Sequence, residues 1–161
     1  EQRIEHLQRI RDLQDQTEGF TAFITWNFQP DDTALGASAE RWDGIVSTGF
    51  DHLRTVAISR LFLDNIDSLQ ASWVTQGPKI AQVSLRYGIN DFGSTMLEEN
   101  VVSAAGTSHM NEMDLQTMER LIRDAGYTPQ RRNTRYESVM TPAQPDVLKG
   151  VSSTEGSYSI S

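Results

Sequence analysis

The chain has 161 residues, a length that suits one domain. Acidic residues outnumber basic ones 22 to 14, a formal charge of −8, which argues against a nucleic-acid partner because phosphate recognition needs clustered cations. There is no cysteine, so the chain alone supplies no disulfide and no thiolate ligand for zinc or an iron–sulfur cluster. No apolar run approaches the roughly 18 residues of a membrane span, and the first residues do not read as a leader, so no membrane partner and a cytoplasmic location are the default expectations.

Ile4, Leu7, Ile10 and Leu13 recur every three residues and predict an amphipathic helix with a drifting apolar stripe. It is in register from Glu1 with no capping residue before it, which reads as a cut through something larger. Gly19 closes it. Residues 20–26, apolar, aromatic and β-branched, suit a strand buried on both faces. The polar stretch 27–48 exceeds the usual βα connection. A helix follows over about residues 49–65, with Leu53, Val56, Ala57 and Leu61 on its buried face.

Residues 69–74 read as a second strand, with Leu69, Ala71 and Trp73 on one side. Gly77 as N-cap and Pro78 in the first turn open another helix, closed at Gly88, and residues 89–92 form a short third strand. Asn111 is expected to cap a last helix that buries Leu115, Met118, Leu121, Ile122 and Ala125 and ends at Gly126 and Pro129. Residues 128–139 are polar and arginine-rich and read as extended. Residues 139–161, rich in Ser, Pro and Gly, read as a flexible tail beyond a domain formed by residues 1–138.

Helices alternating with buried strands define an α/β fold with a parallel sheet and helical crossovers. A closed (β/α)₈ barrel typically takes about 250 residues, so the expectation is a partial TIM-type barrel with exposed edge strands. Its partner would be the missing N-terminal half of the barrel.

In such folds ligands sit at the carboxyl ends of the strands. The first strand runs into Trp26-Asn27-Phe28-Gln29, the second into Ser72-Trp73-Val74-Thr75-Gln76, the third into Asn90-Asp91-Phe92-Gly93-Ser94-Thr95. Each joins amide or hydroxyl groups to an aromatic ring, a mixture able to stack a flat ring and hydrogen-bond sugar hydroxyls of a small-molecule substrate. Taken singly, the same residues could simply plug a barrel top and cap helices. Trp26, Asn27, Ser72, Thr75, Asn90, Asp91 and Ser94 are the candidate substrate contacts. Asp91, Glu98 and Glu99 are candidate general bases or hydroxyl ligands, although Ser94 with Glu98 also makes an ordinary helix start. His6, His52 and His109 lack metal-ligand spacing, and no metal site is expected; His6 and His52 read as surface or packing residues, and His109 is a weaker site candidate.

Residues 23–30 (FITWNFQP), 71–78 (ASWVTQGP), 90–106 (NDFGSTMLEENVVSAAG) and 120–137 (RLIRDAGYTPQRRNTRYE) carry a resemblance. Together they resemble the C-terminal half of the radical S-adenosylmethionine (SAM) enzymes of menaquinone and deazaflavin synthesis, most of all the cyclising branch of the futalosine route. The resemblance covers residues 1 to about 138. It implies a (β/α) barrel whose N-terminal half carries a CxxxCxxC loop, a [4Fe–4S] cluster and SAM. It further implies a deoxyadenosyl radical that takes a ribose hydrogen, after which the sugar carbon closes onto a benzoate ring. This chain departs from the pattern in lacking the cluster loop and the upstream glycine-rich segment. It is therefore expected to be the substrate-facing half, inactive by itself. Two readings stay open beside it: the tyrosine-using deazaflavin (F0) and aminofutalosine branches of the same family, and a non-catalytic α/β binding module.

Overall fold

The computed structural model describes residues 1–38, 45–95 and 113–139, and divides the chain into a first unit, residues 1–129, and a second, residues 130–161. The first unit begins with α1 (Gln2–Thr17). Leu7 is buried, but Ile4 and Leu13 stay exposed, because a repeat of three lags behind a turn of 3.6 residues. The buried polar Gln14 does what the outer stripe does not. Its carboxamide accepts from Phe20 N–H at 2.8 Å and donates to the carbonyls of Phe20 at 3.0 Å and Asn65 at 3.2 Å, tying the helix end to the start of the sheet.

β1 (Ala22–Ile24) and β2 (Ser68–Gln70) pair in parallel with Ala22 opposite Ser68, Phe23 opposite Leu69 and Ile24 opposite Gln70. Both strands are shorter than residues 20–26 and 69–74. The second ends early because Trp73 opens α3 (Trp73–Ser84) rather than continuing the strand. Ala71, Ser72 and Trp73 are all buried, so the period-2 pattern there reports a deep corner and not a pleat. Gly77, at φ 79° and ψ 160°, breaks α3 after one turn in a region open essentially to glycine alone. Pro78 then starts the longer segment, which a short 3₁₀ turn (Leu85–Tyr87) and a left-handed Gly88 bring to a close, as expected.

The third expected strand is reduced to a single parallel bridge, Gln70 with Asp91. Ala71 N–H donates to Asp91 O at 2.8 Å, and the amides of Asn90 and Asp91 both donate to Leu69 O. The Asn90 side chain supplies the rest of the pairing. Its Oδ1 accepts from Leu69 N–H at 2.9 Å and from Arg60 Nη2 at 2.8 Å, and its Nδ2 donates to Asp67 O at 2.8 Å. Arg60 also donates to the Gly88 carbonyl at 2.7 Å, so one guanidinium joins the crossover helix to both flanks of this segment.

That crossover is α2 (Gly49–Phe62), opened by a capping box in which Thr48 and Asp51 each accept from the other's backbone N–H. It buries His52, Leu53, Val56 and Ser59. Leu61, expected on the same face, is 84% exposed; five residues past Val56, it falls on the far side of a helix of 3.6 residues per turn. The last helix, α4 (Leu115–Asp124), is capped by Asp114, whose carboxylate accepts from Thr117 N–H at 2.7 Å. Asn111, expected as its cap, lies outside the described residues. Met118 is buried and Leu121, Ile122 and Ala125 pack beside it.

One core joins Leu69 and Ala71 to Val56 of α2, Ala81 of α3 and Met118 of α4; a smaller one joins Leu7, Leu63 and Ile66, and Phe23 packs against both. Phe23 and Leu69 therefore face the helices, and Ile24 and Gln70, next along each strand, face the other way and are only half-buried. In the second unit, Arg132 bridges Ser138 across a turn organised by Asn133, and its guanidinium lies 3.9 Å from the Tyr136 ring centroid. Among the described residues no helix is long and apolar enough to cross a membrane.

Replacing Asn90 by Ala removes three side-chain bonds, the acceptor for Leu69 N–H among them. The expected loss is about 2 kcal/mol of unfolding free energy, read from urea denaturation, with the Asn90→Asp variant, which keeps an acceptor, losing less.

Candidate functional site

Parallel pairing puts the carboxyl ends of β1, β2 and the Asp91 bridge at one edge of the sheet. The register row Ile24–Gln70–Asp91 lies on the face turned away from the helices, and the residues expected to make a site follow it in each segment. Trp26 is 61% exposed. Continuing the alternation of Ala22 and Ile24, it sits on the open face, while Asn27 turns back toward α2.

There Asn27 Oδ1 meets His52 Nδ1 at 3.1 Å. His52 is 2% exposed, and burial lowers its pKa from the usual imidazole value, favouring the neutral ring. Asn27 Nδ2 and, two residues earlier, Thr25 Oγ1 are buried without a hydrogen-bond partner. His52 is the residue that the sequence underrated. Its place one turn after the Thr48 cap and four residues before Val56 was the available signal that it points inward.

At the end of β2, Ser72 and Thr75 are both buried, and their hydroxyls bond each other. Thr75 Oγ1 also lies 3.4 Å from Ser72 O, so the pair closes the first turn of α3. At the third segment Asp91 is 8% exposed, and its carboxylate accepts from Gly93 N–H at 2.7 Å, bending the chain directly after the bridge. Gly93 has φ +92°, and a Cβ there would lie 3.0 Å from Gln70 Nε2, so a side chain would be both strained and crowded. Ser94 is exposed, and Asn90 spends its carboxamide on Leu69, Asp67 and Arg60. Glu98, Glu99 and His109 lie outside the described residues, and His6 is exposed on α1.

The edge thus combines an outward indole, a buried carboxylate in a turn, and two polar pairs locked into the frame. In parallel α/β sheets, ligands generally sit outside the carboxyl ends of the strands, the edge at which these residues lie. The family model for the CofH/MqnC C-terminal region matches residues 17–145, and the chain belongs to that family. It is 54% identical over 141 residues to a cyclic dehypoxanthine futalosine synthase of Halalkalibacterium halodurans, covering 88% of this chain and 36% of that protein. A protein of the same name from Streptomyces coelicolor is 44% identical over 160 residues, covering 95% of this chain and 38% of that one. An aminodeoxyfutalosine synthase of Thermus thermophilus is 38% identical over 139 residues, covering 86% and 37%. The chain therefore spans little more than a third of the length of these relatives.

The neutral state of His52 has a measurable consequence. Its pKa lies below the ordinary value of about 6.5 in the folded chain, so the unfolded chain takes up a proton first as pH falls. The stability this confers is complete above that ordinary value and is lost as pH falls through the window beneath it. The urea midpoint should drop between about pH 7.5 and about pH 5.5, and His52→Gln should flatten that dependence.

Proposed function

We propose that this chain is the substrate-facing C-terminal portion of a radical SAM enzyme that converts dehypoxanthine futalosine to its cyclic product in menaquinone synthesis. What supports the reading most directly is the coincidence of two things. Strong similarity to proteins of that name runs through the segments that end the strands, and the parallel register gathers those ends at one edge. In this reading the short sheet is part of a (β/α) barrel, and the half-buried Ile24–Gln70 face becomes its interior once the remaining strands are in place. A cytoplasmic location accords with it.

The proposed contacts divide by their surroundings. Trp26 offers an exposed ring for stacking on a flat part of the substrate, and Ser94 an exposed hydroxyl. Asp91 is the described candidate for accepting a substrate hydroxyl or holding a proton, with Glu98 and Glu99 proposed beside it. Asn27, Ser72, Thr75 and Asn90 contribute by shaping the edge, because Asn27 Oδ1, the Ser72 and Thr75 hydroxyls and the Asn90 carboxamide already serve internal bonds.

The cluster that binds SAM in this family does not fit the residues of this chain: it has no cysteine, so the thiolate ligands would come from elsewhere in the full-length protein. The radical step is not assigned to any residue here. A second reading, an aminodeoxyfutalosine synthase, is supported by the Thermus thermophilus relative, and a tyrosine-using deazaflavin enzyme by similarity, 39% over 140 residues, to a 5-amino-6-(D-ribitylamino)uracil–L-tyrosine 4-hydroxyphenyl transferase of Methanosarcina acetivorans.

The test uses full-length protein with a reconstituted cluster, assayed on dehypoxanthine futalosine and, separately, on tyrosine with a ribityl-substituted pyrimidine. Turnover of the first and not the second is expected. Trp26→Ala should raise KM by about tenfold, the weight of one ring–ring contact of about 1.4 kcal/mol, and an unchanged KM would remove Trp26 from the site.

A further inference from the structure

Between β1 and α2 the chain runs through residues 25–48, of which 25–38 and 45–48 are described, and both described ends lie at the sheet edge of the proposed contacts. This connection is anchored at both ends within one turn of helix. At its return, Thr48 and Asp51 form the capping box. At its departure, Asn27 meets His52, the very next residue of α2, across 25 positions of sequence. We propose that His52 is a positioning residue: it grips Asn27 so that the root of the connection is fixed and Trp26 is held on the open face.

Three observations carry this. His52 is buried at the start of a helix, where a purely apolar residue would fill the space with less desolvation cost. Its bond is directional: with the proton on Nδ1, the ring donates to Asn27 Oδ1, and a ring without that nitrogen would leave the amide oxygen bare beside an Nδ2 that already lacks a partner. Finally, the alternation continues past the end of β1, with Thr25 and Asn27 half-buried and Trp26 exposed between them, so that fixing Asn27 toward α2 fixes Trp26 away from it. The consequence for substrate rests on the proposed function; the clamp itself does not.

The decisive measurement is amide hydrogen exchange over residues 25–38 in the full chain. His52→Phe, which preserves bulk but not the bond, should accelerate exchange there at least fivefold, while His52→Gln, whose amide can still donate, restores most of the protection. Asn27→Ala should accelerate it equally, and the double variant no further. Should His52→Phe fail to fold, Asn27→Ala decides by itself. Its ¹⁵N spectrum should show the His52 ring moving away from the Nδ1-protonated tautomer.

Exchange unchanged in Asn27→Ala, or protection retained in His52→Phe, overturns the clamp. In full-length enzyme His52→Phe should raise KM severalfold and His52→Gln should bring it back. Accelerated exchange with an unmoved KM would uphold the clamp and count instead against placing substrate at this edge.

Discussion

The Asn90 carboxamide fastens the segment after Gly88 where backbone pairing alone is short. Three backbone bonds tie Asn90 and Asp91 to Leu69 and Ala71, and the Asn90 side chain adds three more, accepting from Leu69 and Arg60 and donating to Asp67. Arg60 matters for the same reason. Its planar fork reaches the Gly88 carbonyl and the Asn90 carboxamide from a single position on α2. Asp91, the buried Phe92 and the turn at Gly93 follow directly on this doubly fastened residue. A site residue and a structural residue are therefore neighbours in sequence, and a motif dense in polar side chains contains both.

That mixture explains what the sequence could and could not convey. The four described helices were legible in outline because apolar spacing and breakers marked them: Gly88 and Gly126 fall at helix ends, whereas Gly77 with Pro78, expected to open α3, breaks it one turn after Trp73, and the last helix is capped by Asp114. Parallel pairing followed from strands separated by helices. Strand length was not legible. Residues 20–26 and 69–74 are rich in apolar and aromatic side chains, and such richness reports burial without saying whether the backbone is pleated, so Trp73 reads as strand and folds as helix. Leu61 misled for the opposite reason: an apolar side chain need not be inside.

Within the site, residue type announced chemistry but not direction. Asn27, Ser72 and Thr75 were legible as polar groups at strand ends, yet each turns its hydrogen bonds inward, and the outward group at β1 is the Trp26 ring. His52 was hidden because a histidine on a helix, seen in one dimension, carries no mark of what lies across from it 25 positions away. Membership of the CofH/MqnC C-terminal family adds context that no single residue carries: this chain spans little more than a third of the length of the relatives it matches.

The anchoring of Asn27 and Thr48 to one end of α2 separates the geometry of the sheet from the length of chain between them. With Asn27 and Thr48 both fastened to the same end of α2, the entropic penalty of closing the span grows only logarithmically, about 0.6 kcal/mol for each doubling. Insertions or deletions in that span therefore cost little, and the register of the neighbouring strand pair is insulated from them.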